Sequence, residues 1–118
     1  MKRNSYIIMP FSSTTSCSEQ IWTEIYEEVF KPALIDNGYS CERSQPETGS
    51  LIRSILKKIQ DSFIVIADIT DRNANVFYEL GVRHSLSKRT IIVAQEAKHI
   101  PSDLQGYWSR RINQALVP

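Results

Sequence analysis

Hydrophobic residues follow two patterns along this chain: short unbroken runs, and positions separated by three or four residues. Unbroken apolar runs are typical of strands that are buried on both faces of a parallel sheet. The runs at 6–9, 63–67 and 90–94 therefore predict three buried strands, and the alternating stretch at 39–43 predicts an edge strand. The tail after these runs is expected to form a last edge strand or a helix.

Helical spacing predicts that the segments between these strands are helices. Apolar positions within 21–29 indicate a first helix, which Pro32 is expected to kink or restart. Positions within 52–59 indicate a second, amphipathic helix, and Asn73 or Asn75 is expected to cap a third. Strands that alternate with helices predict a small flavodoxin-like α/β fold, with a parallel sheet of four to five strands and helices on both faces.

Composition favours one ordinary globular domain. The chain has 118 residues and is 42% hydrophobic, so 1–118 is predicted to be a single domain, which could also be part of a longer protein. With 14 basic and 13 acidic residues, no charge excess favours nucleic acid or an anionic membrane as a partner. Cys17 and Cys41 lack metal-ligand spacing and are expected to be reduced thiols in a cytoplasmic protein. No segment approaches transmembrane length.

Polar residues cluster where the central predicted strand ends. The apolar run stops at Asp68, a loop with Asp71, Asn73 and Asn75 follows, and Glu79 lies early in the next helix. Ligands of open α/β sheets usually bind outside the carboxyl ends of the strands, and a helix N-terminus stabilises an ionised carboxylate. Such a carboxylate can attack or stabilise the oxocarbenium-like transition state of glycosidic cleavage, while polar neighbours hold the ribose hydroxyls.

Purely structural roles are also open for these residues. Glu79 and Arg83 have the i,i+4 spacing of a surface ion pair, which contributes only ~0.2–0.5 kcal/mol. Asp68 and Asp71 are residue types common at strand ends and in turns. Gly81 lies in a helix interior, where glycine costs about 0.5–1 kcal/mol relative to alanine, so a close approach of another group is expected there.

The hydroxyl-rich loop after the first strand is a second candidate region. Ser12 and Ser13 are candidates for phosphate or ribose contacts, and Phe11 is expected near the base. Ser16 and Glu19 have the spacing of a capping box, and a helix N-terminus with free N–H groups suits an anion. Serine and threonine also cluster before helices for capping alone, so both roles stay open.

Spacing argues against several other chemistries. The four glycines are too scattered for a dinucleotide fingerprint or a phosphate-binding glycine loop. His84 and His99 form no common metal-binding pattern with the two distant cysteines, so no metal site is expected. The chain has no nucleophilic-serine elbow.

Four segments of the chain carry a resemblance to known proteins: 8–12 (IMPFS), 67–70 (ADIT), 72–81 (RNANVFYELG) and 101–104 (PSDL). Together they resemble bacterial TIR-like nucleotide-binding domains, a group that is similar in turn to the nucleoside deoxyribosyltransferases. The resemblance spans nearly the whole chain, and its NVFYELG part is specific. It implies a TIR-like variant of the predicted flavodoxin-like fold.

The resemblance also implies roles for individual residues. In the transferases and in NAD-cleaving TIR domains, the glutamate at the place of Glu79 is catalytic, and in the transferases it is the covalent nucleophile. Carried over, Glu79 attacks or stabilises the anomeric carbon, and Asp68 and Asn73 complete the implied catalytic set. Asp68 and residues of the loop before the helix, among them the substrate-binding candidates Asp71 and Asn75, orient the sugar or the leaving base. The transferases carry an aspartate where this chain has Asn73, so acid assistance to the base is not implied. NAD needs less of it, because nicotinamide leaves as a neutral molecule.

The function that the resemblance implies is cleavage, by hydrolysis or transfer, of an N-glycosidic bond in a nucleotide. NAD is one candidate substrate, and no separate cofactor is expected. Self-association into a homo-oligomer is also implied, with a neighbouring subunit completing the site. Two other functions stay open: a sensor that binds a nucleotide without cleaving it, and a TIR-like signalling module that assembles through a helix face.

Overall fold

A parallel sheet of five strands organises the chain, with the strand order β2-β1-β3-β4-β5. The computed structural model describes residues 3–45, 51–104 and 109–111, and the side chains of these except at 51, 52 and 109–111. The strands are β1 (Arg3–Ile8), β2 (Tyr39–Arg43), β3 (Ile64–Asp68), β4 (Thr90–Ala94) and β5 (Ser109–Arg111). This is the flavodoxin-like order, and it confirms the predicted fold class. It also places the alternating 39–43 stretch at an edge, as predicted.

Helices connect the strands on both faces of the sheet. They are α1 (Glu19–Ile25), α2 (Lys31–Asp36), α3 (Leu51–Asp61) and α4 (Ala74–Ser85). A π-helical turn, Tyr26–Phe30, joins α1 to α2, and the N–H of Lys31 bonds back to the carbonyl of Tyr26. The helix therefore changes its winding directly before Pro32, which lacks an N–H to donate. In the part of the chain that the structure describes, no helix combines the length and the apolar character needed to cross a membrane.

Successive strand residues point to opposite faces of the sheet and fill two separate cores. Tyr6 and Ile8 of β1 pack on the face covered by α3 and α4. Ile7 packs on the other face, against α1 and α2, where Trp22 and Phe30 have no exposed surface. Burial of a side chain such as Phe30 stabilises the fold by about 1.5–3 kcal/mol.

Arg83 is the largest polar side chain in the interior and has no exposed surface. Its guanidinium donates to the carbonyl oxygens of Ile59 at 2.7 Å, Ser62 at 2.9 Å and Arg89 at 2.8 Å. These acceptors lie at the end of α3 and before β3 and β4. Arg83 therefore donates hydrogen bonds to the backbone at the amino edge of the sheet, where the strands begin. The surface ion pair between Glu79 and Arg83, which the spacing left open as an alternative, is therefore not formed.

Candidate functional site

A pocket of about 350 Å³ opens at the carboxyl edge of the sheet, between the ends of β1 and β2 and the helices α3 and α4. The described residues that line it are Met9, Pro10, Phe11, Ser12, Ser44, Gln45, Ile55, Leu56, Asn73, Asn75, Val76, Tyr78 and Glu79. The sequence-predicted residues Phe11, Ser12, Asn73, Asn75 and Glu79 are thus brought together. Ser13, Asp68 and Asp71 are not among the lining residues.

Glu79 is half-buried, and Ser44 is its hydrogen-bond partner. The Ser44 hydroxyl lies 3.1 Å from Oε1 and 3.0 Å from Oε2 of Glu79. Burial raises the pKa of Glu79, while the hydrogen bond from Ser44 acts in the opposite direction. A helix dipole acts most strongly within the first turn, and Glu79 lies beyond the first turn of α4. The effect of burial on the pKa of Glu79 therefore outweighs the expected effect of the dipole. Among the described residues, no cation lies within ion-pair distance of this carboxylate.

Asn73 and Asn75 stand beside Glu79 at the start of α4. Asn73 caps the helix, because its Oδ1 accepts a hydrogen bond of 3.1 Å from the N–H of Val76. Its side-chain amide can also donate two N–H groups to a ligand. Asn73 can therefore donate a hydrogen bond to a sugar or a base, but it cannot supply a proton as a carboxylic acid does.

The loop after β1 has two parts with different roles. Phe11 and Ser12 line the pocket, whereas the Ser13 hydroxyl accepts a hydrogen bond of 3.0 Å from the N–H of Glu19 at the start of α1. Ser18 is the N-cap of this helix, accepting a hydrogen bond of 3.2 Å from a backbone N–H. The predicted capping box with Ser16 is therefore wrong, because Ser16 bonds to another loop.

Asp71 joins the loop after β1 to the loop after β3. One carboxylate oxygen accepts from the Thr14 hydroxyl at 2.6 Å and the Ser16 N–H at 2.7 Å, and the other accepts from the Ser16 hydroxyl at 2.6 Å. Nε2 of His99 lies 3.5 Å from the same carboxylate. Burial acts to raise the pKa of Asp71, but these hydrogen bonds and His99 together lower it. The predicted substrate-binding residue thus holds two loops together.

Asp68 lies inside the protein rather than in the pocket. It has no exposed surface, and its Oδ1 accepts a hydrogen bond of 3.0 Å from the N–H of Thr70. Its neighbour Ala67 packs on the α3–α4 face, so Asp68 points toward the α1 face, away from Glu79. Burial raises its pKa to about 6. The structure does not bring Asp68 to the predicted catalytic position.

Ser44 is the functional candidate that the sequence did not indicate. Its N–H donates to the carbonyl of Ile7 at 2.8 Å, which continues the pairing of β2 with β1 beyond the last residue of β2. That pairing brings Ser44 to the carboxyl edge, where it meets Glu79. The signal available in the sequence was its position directly after a predicted strand.

Within the described residues, no group of three or more His, Cys, Asp and Glu could hold a metal ion.

Comparison with known proteins shows the fold. No protein-family model matches this chain, and no curated protein matches it either. Among solved structures, a 2-deoxyribosyltransferase from the psychrotolerant bacterium Bacillus psychrosaccharolyticus is similar, with a TM-score of 0.66 and 17% identity over 87% of this chain and 80% of that chain. A 2-deoxyribosyltransferase from Leishmania mexicana has a TM-score of 0.53 and 18% identity over 91% of this chain and 72% of that chain. The chain thus has the α/β fold found in these transferases.

Proposed function

We propose that this protein cleaves the N-glycosidic bond of a nucleoside or nucleotide, by transfer or hydrolysis, with Glu79 as the catalytic carboxylate. The observation that carries the proposal is a half-buried carboxylate with a hydroxyl partner, in a pocket at the carboxyl edge of the sheet. The fold shared with 2-deoxyribosyltransferases supports it. The pocket volume of about 350 Å³ lies in the range of small-molecule sites.

In the proposed reaction, an oxygen of Glu79 attacks the anomeric carbon as the bond from this carbon to the base nitrogen breaks. The electron pair of that bond leaves with the base, and the sugar becomes an ester of Glu79. The departing base takes a proton from solvent unless it leaves as a neutral molecule. A second base or a water molecule then attacks the same carbon, loses a proton to solvent and releases the carboxylate. The Ser44 hydroxyl orients the carboxylate before the attack, and its hydrogen bond weakens as the negative charge is lost.

The other lining residues suit a nucleoside. Phe11 and Tyr78 offer aromatic faces for a base, and Ser12 and Asn75 offer polar groups for ribose hydroxyls. Because Asn73 supplies no acidic proton, the best substrates are those with a good leaving group. NAD is a candidate for this reason. Its nicotinamide ring is positively charged while it is bonded to the ribose, and it becomes a neutral molecule when the bond breaks.

The test is chromatography of free base after incubation with NAD and a panel of nucleosides and nucleotides. The wild type should release base, and Glu79→Gln should lower the rate at least about a thousandfold, because its amide is a poor nucleophile. Glu28→Gln is the matched control, since Glu28 is exposed on the π-helical turn, and it should keep full activity. Equal release by wild type and Glu79→Gln would show that Glu79 is not the catalytic group.

A nucleotide sensor is the second candidate function. Glu79 is the only acidic side chain among the described residues that line the pocket, so no second carboxylate there can protonate a leaving base. Saturable binding without any released base, for every compound of the panel, would favour this function. Self-association, TIR-like signalling and a cytoplasmic location remain predictions.

A further inference from the structure

Arg43 is a buried cation at the end of β2, one residue before Ser44, and is 8% exposed. Its Nη2 donates to the carbonyl of Pro10 at 3.0 Å, and its Nη1 donates to the Thr23 hydroxyl at 3.3 Å. Its Nε has no hydrogen-bond partner among the described residues. No described carboxylate lies within 4.0 Å of the guanidinium, so neutral groups alone contact this charge.

Burial of an unpaired cation is unfavourable, and the groups around Arg43 compensate only in part. The carbon of the guanidinium lies 5.0 Å from the ring centre of Phe11 and 5.5 Å from that of Tyr26. Such ring contacts stabilise a cation by about 0.5–2 kcal/mol, less than a carboxylate or phosphate at hydrogen-bond distance. Burial also lowers the pKa of Arg43, as expected for a desolvated charge, while electrostatic interactions with Tyr26, Glu27 and Glu19 act in the opposite direction.

A second cleft, of about 370 Å³, contains Arg43 and adjoins the Glu79 pocket. The two share Gln45 and Ile55 as lining residues, so they form one continuous surface. The second cleft is also lined by two ion pairs, Lys31 with Glu27 at 3.5 Å and Lys58 with Glu42 at 2.8 Å. Glu27 and Glu19 also act on the charge of Arg43, but from beyond ion-pair distance. Arg43 is therefore the cation of this cleft that has no described carboxylate within 4.0 Å.

We propose that this second cleft binds a phosphate group of the substrate at Arg43, so that the protein acts on nucleotides in preference to nucleosides. The assignment rests on the proposed function, because it takes the sugar of the same molecule to lie at Glu79. A phosphate supplies a counter-charge at hydrogen-bond distance, and Nε, which has no described partner, can donate to one of its oxygens. Phe11, which contacts Arg43 and lines the Glu79 pocket, joins the two parts of the site.

The first test measures binding by calorimetry, with inorganic phosphate, nucleosides and their 5′-monophosphates as probes. Wild type should bind monophosphates at least about tenfold more tightly than the matching nucleosides. Arg43→Gln should lose that preference while its nucleoside affinity changes less than about twofold. Arg53→Gln is the matched control, because Arg53 is exposed on α3 and lines neither cleft, and it should behave as wild type. Equal affinity of the wild type for both classes would overturn the proposal.

A second measurement needs no variant and covers the case that Arg43→Gln does not fold. Inorganic phosphate should compete with monophosphates for the wild type and should leave nucleoside binding unchanged. Failure of phosphate to displace a monophosphate would contradict the proposal. The turnover assay separates this proposal from the first: equal cleavage of both classes overturns the phosphate site alone. Phosphate binding at Arg43 without any released base overturns only the glycosidic reaction.

Discussion

One helical turn separates Glu79 from Arg83, but the two side chains serve opposite edges of the sheet. Glu79 meets Ser44 after β2, whereas Arg83 donates to backbone carbonyls that precede β3 and β4. Spacing along the helix predicts that two side chains are neighbours, and it does not tell which tertiary partner each prefers. Arg83 donates to four carbonyl oxygens, including that of Phe63 at 3.4 Å, instead of pairing with the carboxylate of Glu79, which the i,i+4 spacing left open.

Gly81 is another residue for which the structure changes the sequence-based expectation. A close approach was predicted there, but Gly81 is exposed and a Cβ at this position would meet nothing within 4 Å among the described residues. We predict that Gly81→Ala raises the free energy of unfolding by about 0.5–1 kcal/mol, because alanine favours a helix interior. Urea denaturation checks this value. Gly38→Ala is the contrasting variant, because Gly38 has φ +86° and alanine there should lower the free energy of unfolding. A lower free energy of unfolding for Gly81→Ala would contradict the prediction and show a contact at this position.

At the scale of elements, Asp71 ties together the two loops that carry the pocket. The loop after β1 supplies Phe11 and Ser12, and the loop after β3 leads into Asn73 and α4. Asp71 has φ +63°, a left-handed conformation that is uncommon for residues other than glycine, and its hydrogen bonds to the first loop compensate this strain. These contacts therefore join the loop that carries Ser12 to the loop that leads into α4.

A double-mutant cycle tests this tie between the loops. Ser16→Ala and Asp71→Asn should each lower the free energy of unfolding, and the coupling between them should be about 1–3 kcal/mol, because Ser16→Ala removes the hydroxyl that donates to the ionised carboxylate and keeps the backbone N–H that donates to its other oxygen. Urea denaturation of the four proteins gives the coupling. Thr15→Ala supplies the matched cycle, since Thr15 is an exposed neighbour, and its coupling to Asp71→Asn should be near zero. Equal couplings in both cycles would contradict a specific tie.

Across the whole molecule, the sequence allowed prediction of what depends on local pattern. Apolar runs identified the buried strands, the alternating stretch gave the edge strand, and Asn73 was one of two caps considered for α4. Contacts between distant segments were not predictable in this way. Ser44 and Glu79 are separated by 35 positions, and Ser16 and Asp71 by 55. Each contact arises only when parallel pairing brings several loops to the same edge.

The predicted capping box at Ser16 is a case in which a local sequence pattern was present but a contact with a distant segment replaced it. Its spacing to Glu19 satisfied the local rule, but the carboxylate of Asp71 offers Ser16 a charged acceptor. Hydrogen bonds to a charged group are stronger than those to a backbone N–H, so Ser18 takes the capping role instead. Tertiary competition of this kind decided which of the predicted polar residues reached the pocket and which stabilise the loops around it.

The buried carboxyl group of Asp68 makes the stability of the whole molecule depend on pH. Its pKa is about 6 in the folded protein, against 3.8 as the ordinary value, because burial disfavours the charged form. Well below pH 3.8 the group is protonated in both states and has no cost. As pH rises from 3.8 to 6 the unfolded chain ionises while the folded protein keeps the proton, and above pH 6 the folded protein must carry a buried charge. This residue should therefore lower the free energy of unfolding by about 2 kcal/mol between pH 4 and 7.

Asp68→Asn isolates this contribution. The stability of the variant relative to wild type should increase by about 2 kcal/mol from pH 4 to pH 7, measured by urea denaturation at each pH. Asp71 and Glu79 titrate in both proteins, so their contributions cancel in the difference. Parallel stability curves for wild type and Asp68→Asn would show that this carboxyl group ionises as easily in the folded chain as in the unfolded one.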